Sequence, residues 1–339
     1  VKNCKEMLED MSFKVDIAVK YKQDKFVYKF IGYSLMYIKA IFKSIWYSYD
    51  YYYVHFTAQT AYSILLGKWT GKTKLICNVH GNDIVPDYEF EEKNVKRSQI
   101  ILKYADKVVC PSSYFQDVLT KEYHILTKKI VIFPSGGVNL ERFKELTKEE
   151  CQKSLNLDTK YQYYGCVTRM EKNKGWDTIL NVLSKLKKDK KLNNIKLLFV
   201  GSGMKEPDFR ALMKKNHLEK DVIIKPFVTQ EELASYYNAL DLFIFPTKRK
   251  SESLGLVGLE AMACKTFVIG CDLYGPREYL KNNKNSLTFK TEKELYEAIL
   301  KYQRMSENEK EKIIKNGYKT VQNYSSLLME DRLKQIFKN

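Results

Sequence analysis

Asp241-Leu-Phe-Ile-Phe-Pro246 runs on, five residues later, into Ser251-Glu-Ser-Leu-Gly-Leu-Val-Gly-Leu-Glu-Ala-Met-Ala-Cys264. The first stretch reads as a buried strand, ended by Pro246 and the polar residues up to Ser251. Residues 254–263 are rich in helix formers and contain no proline, so a helix is expected to begin near 253–256. The first N–H groups of a helix have no partner within it and carry the positive end of its dipole. They can therefore hold an anion such as a phosphate, and Gly255 lets it approach the main chain. Glu252 precedes the helix and Glu260 sits one to two turns inside it. A carboxylate so placed suits neutral hydroxyls, as an acidic residue accepts from a ribose in dinucleotide sites. Taken alone, the two glutamates call for the plainer reading, a favourable charge at a helix start and a solvated helix residue.

Along the rest of the chain, short apolar runs alternate with longer amphipathic ones: 74–79, 107–110 and 129–133, then 163–167, 196–200, 221–225, 241–245 and 266–269. This is the rhythm of parallel sheets covered by helices, an α/β class. The polar segment 139–160 interrupts and restarts it, which predicts two Rossmann-like doubly wound domains, 1–150 and 151–322, followed by a closing helical segment, 323–339. Ligands of such sheets sit at the carboxyl ends of the strands, and a two-domain chain of this class is expected to hold its site in the cleft between the domains.

Composition narrows the function. The chain has 339 residues, 58 Lys and Arg against 41 Asp and Glu, and a net charge of +17. Residues 1–150 hold 23 basic and 18 acidic residues, leaving 58 − 23 = 35 and 41 − 18 = 23 for residues 151–339, so both halves are cationic. Such a field draws nucleotide sugars, anionic membranes or nucleic acid alike. No helix-turn-helix, zinc-finger or RNA-recognition signature accompanies it, and runs such as Lys185-Leu-Lys-Lys-Asp-Lys-Lys191 are ordinary solvated helix ends, so nucleic acid is not an expected partner. Seven cysteines without a CxxC pair and four histidines suggest neither a disulfide framework nor a zinc site. No run is long and apolar enough for a spanning helix, and the first residues do not resemble a signal peptide, so a cytoplasmic protein is expected.

The Glu252-x7-Glu260 spacing followed by Ala-Met-Ala-Cys264 resembles the signature of the retaining GT-B glycosyltransferases of family 4 type (glycosyl transferases group 1), which include many bacterial polysaccharide and lipid-glycan enzymes. The resemblance implies that Glu252 contacts the donor sugar and Glu260 the nucleotide ribose, with the helix head at Ser253, Leu254, Gly255 and Leu256 on the donor phosphates. Gly165-Cys-Val-Thr-Arg169 and Lys174-Gly-Trp-Asp177 are similar to the family's Gly-Arg…Lys-Gly pattern, with Thr168 in place of a glycine. Arg169 and Lys174 can there neutralise the charge that develops on a departing nucleoside diphosphate. Val200-Gly-Ser-Gly203 ends a strand with Gly201 and Gly203, which let backbone near the nucleotide but also suit a plain turn. In Lys225-Pro-Phe-Val228, the backbone of Val228 is expected at the base, and Pro226 replaces the usual glycine and removes a donor.

In the first domain, His80-Gly-Asn-Asp83 looks like the family's His-Gly-x-Asp, placing His80 at the donor sugar or the acceptor with Asp83 beside it. Ser112, and Pro134-Ser-Gly-Gly-Val-Asn139, look like loops of the same face, and His55 is a weaker candidate. Tyr274-Gly-Pro-Arg-Glu278 and Asn285-Ser-Leu-Thr-Phe289 resemble the segments after the glutamate motif, Lys265 departs from its usual glycine, and the last helix is expected to pack back on the first domain. At the other end, residues 1–16 read as the family's first helix and second strand, so that its first strand and glycine-rich loop are missing. The resemblance implies a retaining, metal-independent transfer of a sugar from a nucleotide-diphosphate sugar to a hydroxyl acceptor, a lipid-linked glycan or saccharide at the inner membrane face. No Asp-x-Asp stands anywhere in the chain to hold a divalent cation, so no cofactor or metal is expected. A GT-B epimerase or phosphorylase, or a catalytically silent partner protein, shares these features.

Residues 26–46 carry Ile31, Leu35, Ile38, Phe42 and Ile45 at helical spacing. The stripe is expected to be the core face of a helix covering a sheet, and a shallow contact with an anionic membrane is the alternative, favoured by Tyr33, Tyr37, Trp46 and Tyr47 outside it.

Overall fold

The computed structural model describes residues 2–19, 26–60, 63–65, 68 and 73–337. The chain forms two compact units: Val1–Ser135 with Glu330–Asn339, and Gly136–Met329.

The first unit holds a parallel four-stranded sheet, in order β1 (Tyr51–His55), β2 (Lys74–Asn78), β3 (Lys107–Cys110) and β4 (Ile130–Ile132). Its strands are short and β-branched or aromatic, and Leu75, Cys77, Val108 and Cys110 pack with Ile101, Phe115 and Leu119 into one core. The last helix, Ser326–Phe337, ends here: the Phe337 ring meets those of Phe13, Tyr51 and Tyr53 at 5.2–5.3 Å, and the Tyr51 hydroxyl donates to its carbonyl at 2.6 Å.

The second unit holds a parallel six-stranded sheet in order β10-β9-β8-β5-β6-β7: β5 (Gln162–Val167), β6 (Ile195–Val200), β7 (Val222–Lys225), β8 (Leu242–Phe245), β9 (Phe267–Cys271) and β10 (Leu287–Phe289). Alternate residues feed two cores, one per face. Leu197 and Phe199 point to the side of Ile179, Leu183 and Phe209, whereas Leu198 and Val200 point to the side of Tyr237, Leu259 and Met262. The strand order reverses between β5 and β8.

Several expectations are corrected. The unit boundary falls at 135/136 rather than 150, because residues 136–150 are tied to the second unit: the Leu146 amide donates to Asn238 Oδ1 at 2.8 Å, Lys148 pairs with Asp241, and Val138 exchanges backbone bonds with Tyr324 and Ser326. Residues 323–329 likewise stay with the second unit, and only the end of the chain joins the first. Strands β1 and β10 join the eight that were expected. Helix Lys2–Asp10 forms, but residues 13–19 form no strand; Asp16 there is held by Lys43 and by the Tyr49 hydroxyl at 2.7 Å.

The aromatic helix Phe26–Trp46 forms with the opposite orientation to the one expected. Met36, Ala40 and Ser44 are its buried face, and the Ile31, Leu35, Ile38, Phe42, Ile45 stripe is exposed. Ala40 and Ser44 permit close approach to the unit beneath, where the Tyr52 hydroxyl donates to the Ser44 carbonyl. The helix has two apolar rows, and the row of smaller side chains fits the crowded side.

Candidate active site

The strand order reverses between β5 and β8, and sheets of this kind take ligands at the carboxyl ends of the strands beside such a reversal. Both candidate segments leave the sheet there. From β5, Thr168 and the exposed Arg169 lead through Lys174 to the helix Trp176–Lys188; from β8, Pro246 and Thr247 lead through Glu252 to the helix Leu256–Ala263. The two loops are joined by their backbones, with the Lys248 amide donating to the Asn173 carbonyl at 2.9 Å.

At the centre, Lys174 Nζ lies 2.6 Å from Glu252 Oε2, and the Thr247 hydroxyl donates to the same oxygen at 3.0 Å. Both side chains are largely withdrawn from water, 12% and 15% exposed. One cation and one carboxylate are thus held together at the mouth of the helix. Gly255 caps that helix with φ +78°, a left-handed conformation, and a Cβ there would lie 2.4 Å from the Phe245 ring. Glycine is therefore required both for the turn and for the approach of helix to strand. The Tyr279 hydroxyl, buried beneath, donates to the Gly255 carbonyl at 2.8 Å. Leu254 is fully buried as the loop's anchor, while Ser253 and Leu256 are half-buried.

Glu260 follows on the inner side of the helix. It is buried and accepts from the Tyr237 hydroxyl at 2.8 Å; burial pushes its carboxyl above the usual range, against that bond and the Arg142 guanidinium. Gly201 and Gly203 carry the loop after β6. Gly201 has φ +147°, and a Cβ would stand 1.9 Å from the Thr168 carbonyl oxygen. The two loops are laced together there, Thr168 N to Val200 O and Met170 N to Ser202 O at 3.0 and 2.9 Å. Val228, half-buried, lies beyond β7 beside the exposed Phe227 and just before the helix Gln230–Asn238, which Thr229 caps by accepting from the Glu232 amide.

In the first unit, the ends of β1 and β2 bring two histidines together. His55 Nδ1 and His80 Nε2 are 2.9 Å apart, and the Phe56 ring stacks on His80 at 4.4 Å. Burial pulls His55 down to about 3 and lowers His80 as well, so both rings are neutral and one donates to the other. Asp83 is buried and its oxygens are engaged: Oδ1 accepts from the His80 and Gly81 amides at 2.9 Å, and Oδ2 from the amide and hydroxyl of Thr57 at 3.3 Å. Asp83 therefore folds the loop that carries His80. Ser112 is fully buried at the head of the helix Ser113–Lys121.

The structure thus pairs Lys174 with Glu252 ahead of the Gly255 turn, leaves Arg169 exposed on the same loop as Lys174, buries Glu260 against Tyr237 further along the helix, and in the other unit sets His80 against His55. Sequence reasoning missed Thr247, Tyr237 and Tyr279, the hydroxyls that hold Glu252, Glu260 and Gly255; tyrosine is common in this chain, and only the fold distinguishes these two. Among the described residues no group of His, Cys, Asp and Glu is arranged to hold a metal ion, and the seven cysteines are unpaired with one another.

Two parallel α/β units, one bearing a paired cation and carboxylate at its strand-order reversal, define the GT-B class. Residues 147–320 match the family model described as glycosyl transferases group 1, and residues 9–142 match glycosyltransferase family 4. The chain belongs to this glycosyltransferase family. It is 29% identical over 188 residues to D-inositol 3-phosphate glycosyltransferase of Segniliparus rotundus, covering 54% of this chain and 40% of that protein. It is 26% identical over 227 residues to alpha-monoglucosyldiacylglycerol synthase of Streptococcus pneumoniae, covering 62% and 50%. The matched part thus spans two fifths to half of these relatives' length. In fold it is similar to sucrose-phosphate synthase of Thermosynechococcus elongatus (TM-score 0.78, 19% identity, 95% of this chain and 81% of the other). It is likewise similar to HepE of Anabaena in complex with UDP-glucose (TM-score 0.76, 16% identity, 98% and 87%).

Proposed function

We propose that the protein moves a sugar from a nucleoside-diphosphate sugar to a hydroxyl acceptor, with retention of configuration and without a metal ion. The observation that supports this most is the Lys174–Glu252 pair, 2.6 Å apart at the head of the helix Leu256–Ala263. It sets a diphosphate-seeking cation beside a hydroxyl-seeking carboxylate, and a sugar nucleotide offers both halves. On donor binding Lys174 turns to the phosphates with Arg169 and the first helix amides, and Glu252 takes sugar hydroxyls. As the bond from C1 to the phosphate oxygen breaks, the diphosphate gains charge that these groups neutralise. C1 bonds to the acceptor oxygen, and the departing phosphate oxygen takes the acceptor's proton. Glu260 receives the ribose hydroxyls, backed by Tyr237; Gly201, Gly203 and Val228 bring backbone to the nucleotide.

In the first unit His80 meets the sugar or acceptor, with Asp83 and Ser112 acting through the loops they hold. The acceptor is a lipid-linked glycan in surface-polysaccharide synthesis at the cytoplasmic face of the cell membrane, a choice supported by the +17 charge and by the diacylglycerol-linked product in one relative's name. The test is a panel of UDP-, GDP- and ADP-sugars with lipid-phosphate and saccharide acceptors. Wild type transfers sugar with or without EDTA, and Glu252→Gln and Arg169→Ala each lose about 100-fold or more. Loss of activity in EDTA, normal transfer by either variant, or release of isomerised donor or sugar phosphate without acceptor overturns the proposal.

A further inference from the structure

The helix Phe26–Trp46 leaves its larger apolar face uncovered. Leu35 is 62% exposed, Ile38 64% and Trp46 67%, with Ile31, Phe42, Ile45 and, just past the helix, Tyr47 also exposed. At 3.6 residues per turn this row and the buried Met36, Ala40, Ser44 row stand roughly half a turn apart. The exposed row therefore points directly away from its own unit. Phe42 and Trp46 stack at 4.8 Å, which makes a continuous apolar surface rather than isolated side chains.

Basic groups border this surface. Lys39 is exposed at one edge, and beyond the other the Arg97 guanidinium of the helix Glu92–Leu102 lies near Tyr37, with Lys93 and Lys96 exposed on the same helix. Among the described residues no helix is long and apolar enough to cross a membrane. An apolar stripe with tyrosine and tryptophan at its margin and cations beside it is the pattern of a helix lying in the headgroup region. A second copy of the chain is a poor occupant, because each copy carries +17 and the same cations flank the stripe.

We propose that the Ile31–Ile45 face, rimmed by Lys39 and Arg97, docks the protein on an anionic lipid surface, with the helix parallel to the bilayer. This stands apart from the sugar-transfer mechanism, since none of its residues belongs to the second unit. The test is co-sedimentation of the full chain with phosphatidylcholine vesicles, with and without phosphatidylglycerol. Wild type pellets with the anionic vesicles and is released by salt. Ile38→Ser combined with Phe42→Ser weakens binding about tenfold or more, and Lys39→Glu or Arg97→Glu about fivefold or more. Phe227→Ser, an equally exposed aromatic of the second unit, binds as wild type. Circular dichroism checks that each variant is folded. Independently of any folding defect in the double variant, brominated phosphatidylglycerol quenches the wild-type tryptophan emission, and Trp46→Phe removes that quenching. Failure of wild type to bind anionic vesicles overturns the proposal, as does unchanged binding by the folded stripe variant. So does a dimer in size-exclusion chromatography that the stripe variant converts to monomer, because the face then serves a second copy.

Discussion

Removing Lys174 tests whether the central ion pair is a ligand site or a brace. At 2.6 Å, and with an effective dielectric constant of about 20, the attraction is of the order of 6 kcal/mol, and desolvation of two ions offsets most of it. Lys174→Met leaves the Glu252 carboxylate, 15% exposed, with the Thr247 hydroxyl as its hydrogen-bond partner. Because neither group is fully buried, the loss is set below the buried-pair range, at about 2 kcal/mol. Glu252→Gln costs a similar amount by stranding the ammonium. The double variant leaves no unpaired charge and costs about 2 kcal/mol as well, so the coupling energy is about 2 kcal/mol. In a unit of this size each variant lowers Tm by about 4–8 °C. Urea denaturation gives the three free energies, and turnover of sugar nucleotides gives the activities. Stability is non-additive, but transfer stays lost in the double variant, since Arg169 is then the one side-chain cation proposed for the diphosphate and no carboxylate takes the sugar hydroxyls. Additive losses, or recovery of transfer when both groups are removed, would refute the assignment of these residues to donor binding.

Three further outcomes are expected. His55 stays neutral in the fold down to about 3, whereas the unfolded chain takes up its proton below about 6.5, so its contribution is complete above that pH and falls as acid is added. The difference between wild type and His55→Gln in urea titrations changes by about 2 kcal/mol between about pH 6.5 and pH 5; a constant difference contradicts the buried neutral pair. Gly255→Ala meets both the left-handed backbone and the Phe245 ring 2.4 Å away, and loses about 3 kcal/mol or more. Gly136→Ala, at φ +83° with nothing within 4 Å, loses only about 1 kcal/mol. Phe337→Ala removes a ring held by Phe13, Tyr51 and Tyr53, and costs the first unit about 3 kcal/mol in chemical denaturation.

Eight strands and the Glu252 turn were legible because parallel strands are buried on both faces and read as plain apolar runs. Tyr51–His55 was not, since its tyrosines follow the aromatic helix with little punctuation, and Leu287–Phe289 is only three residues long. The unit boundary was misplaced because polarity marks exposure rather than attachment: 136–150 is polar yet bonded throughout to the second unit. A single sequence also does not tell a carboxylate that faces a ligand from one that ties its own loop, as Asp83 does. Helical spacing identified the stripe on Phe26–Trp46 but not its direction, because Met36, Ala40 and Ser44 supply a second, narrower face that packs better.

The lacing of the loops after β5 and β6 by main-chain atoms has a consequence for how this protein diversifies. Since amide and carbonyl groups fix the path from Thr168 to Met170 and from Val200 to Lys205, the outward side chains of Ser202 and Met204 carry little of the architecture. Those two positions can exchange residues while the rim keeps its shape, so the surface there can drift without a refolding penalty. The glycines under them have no such latitude.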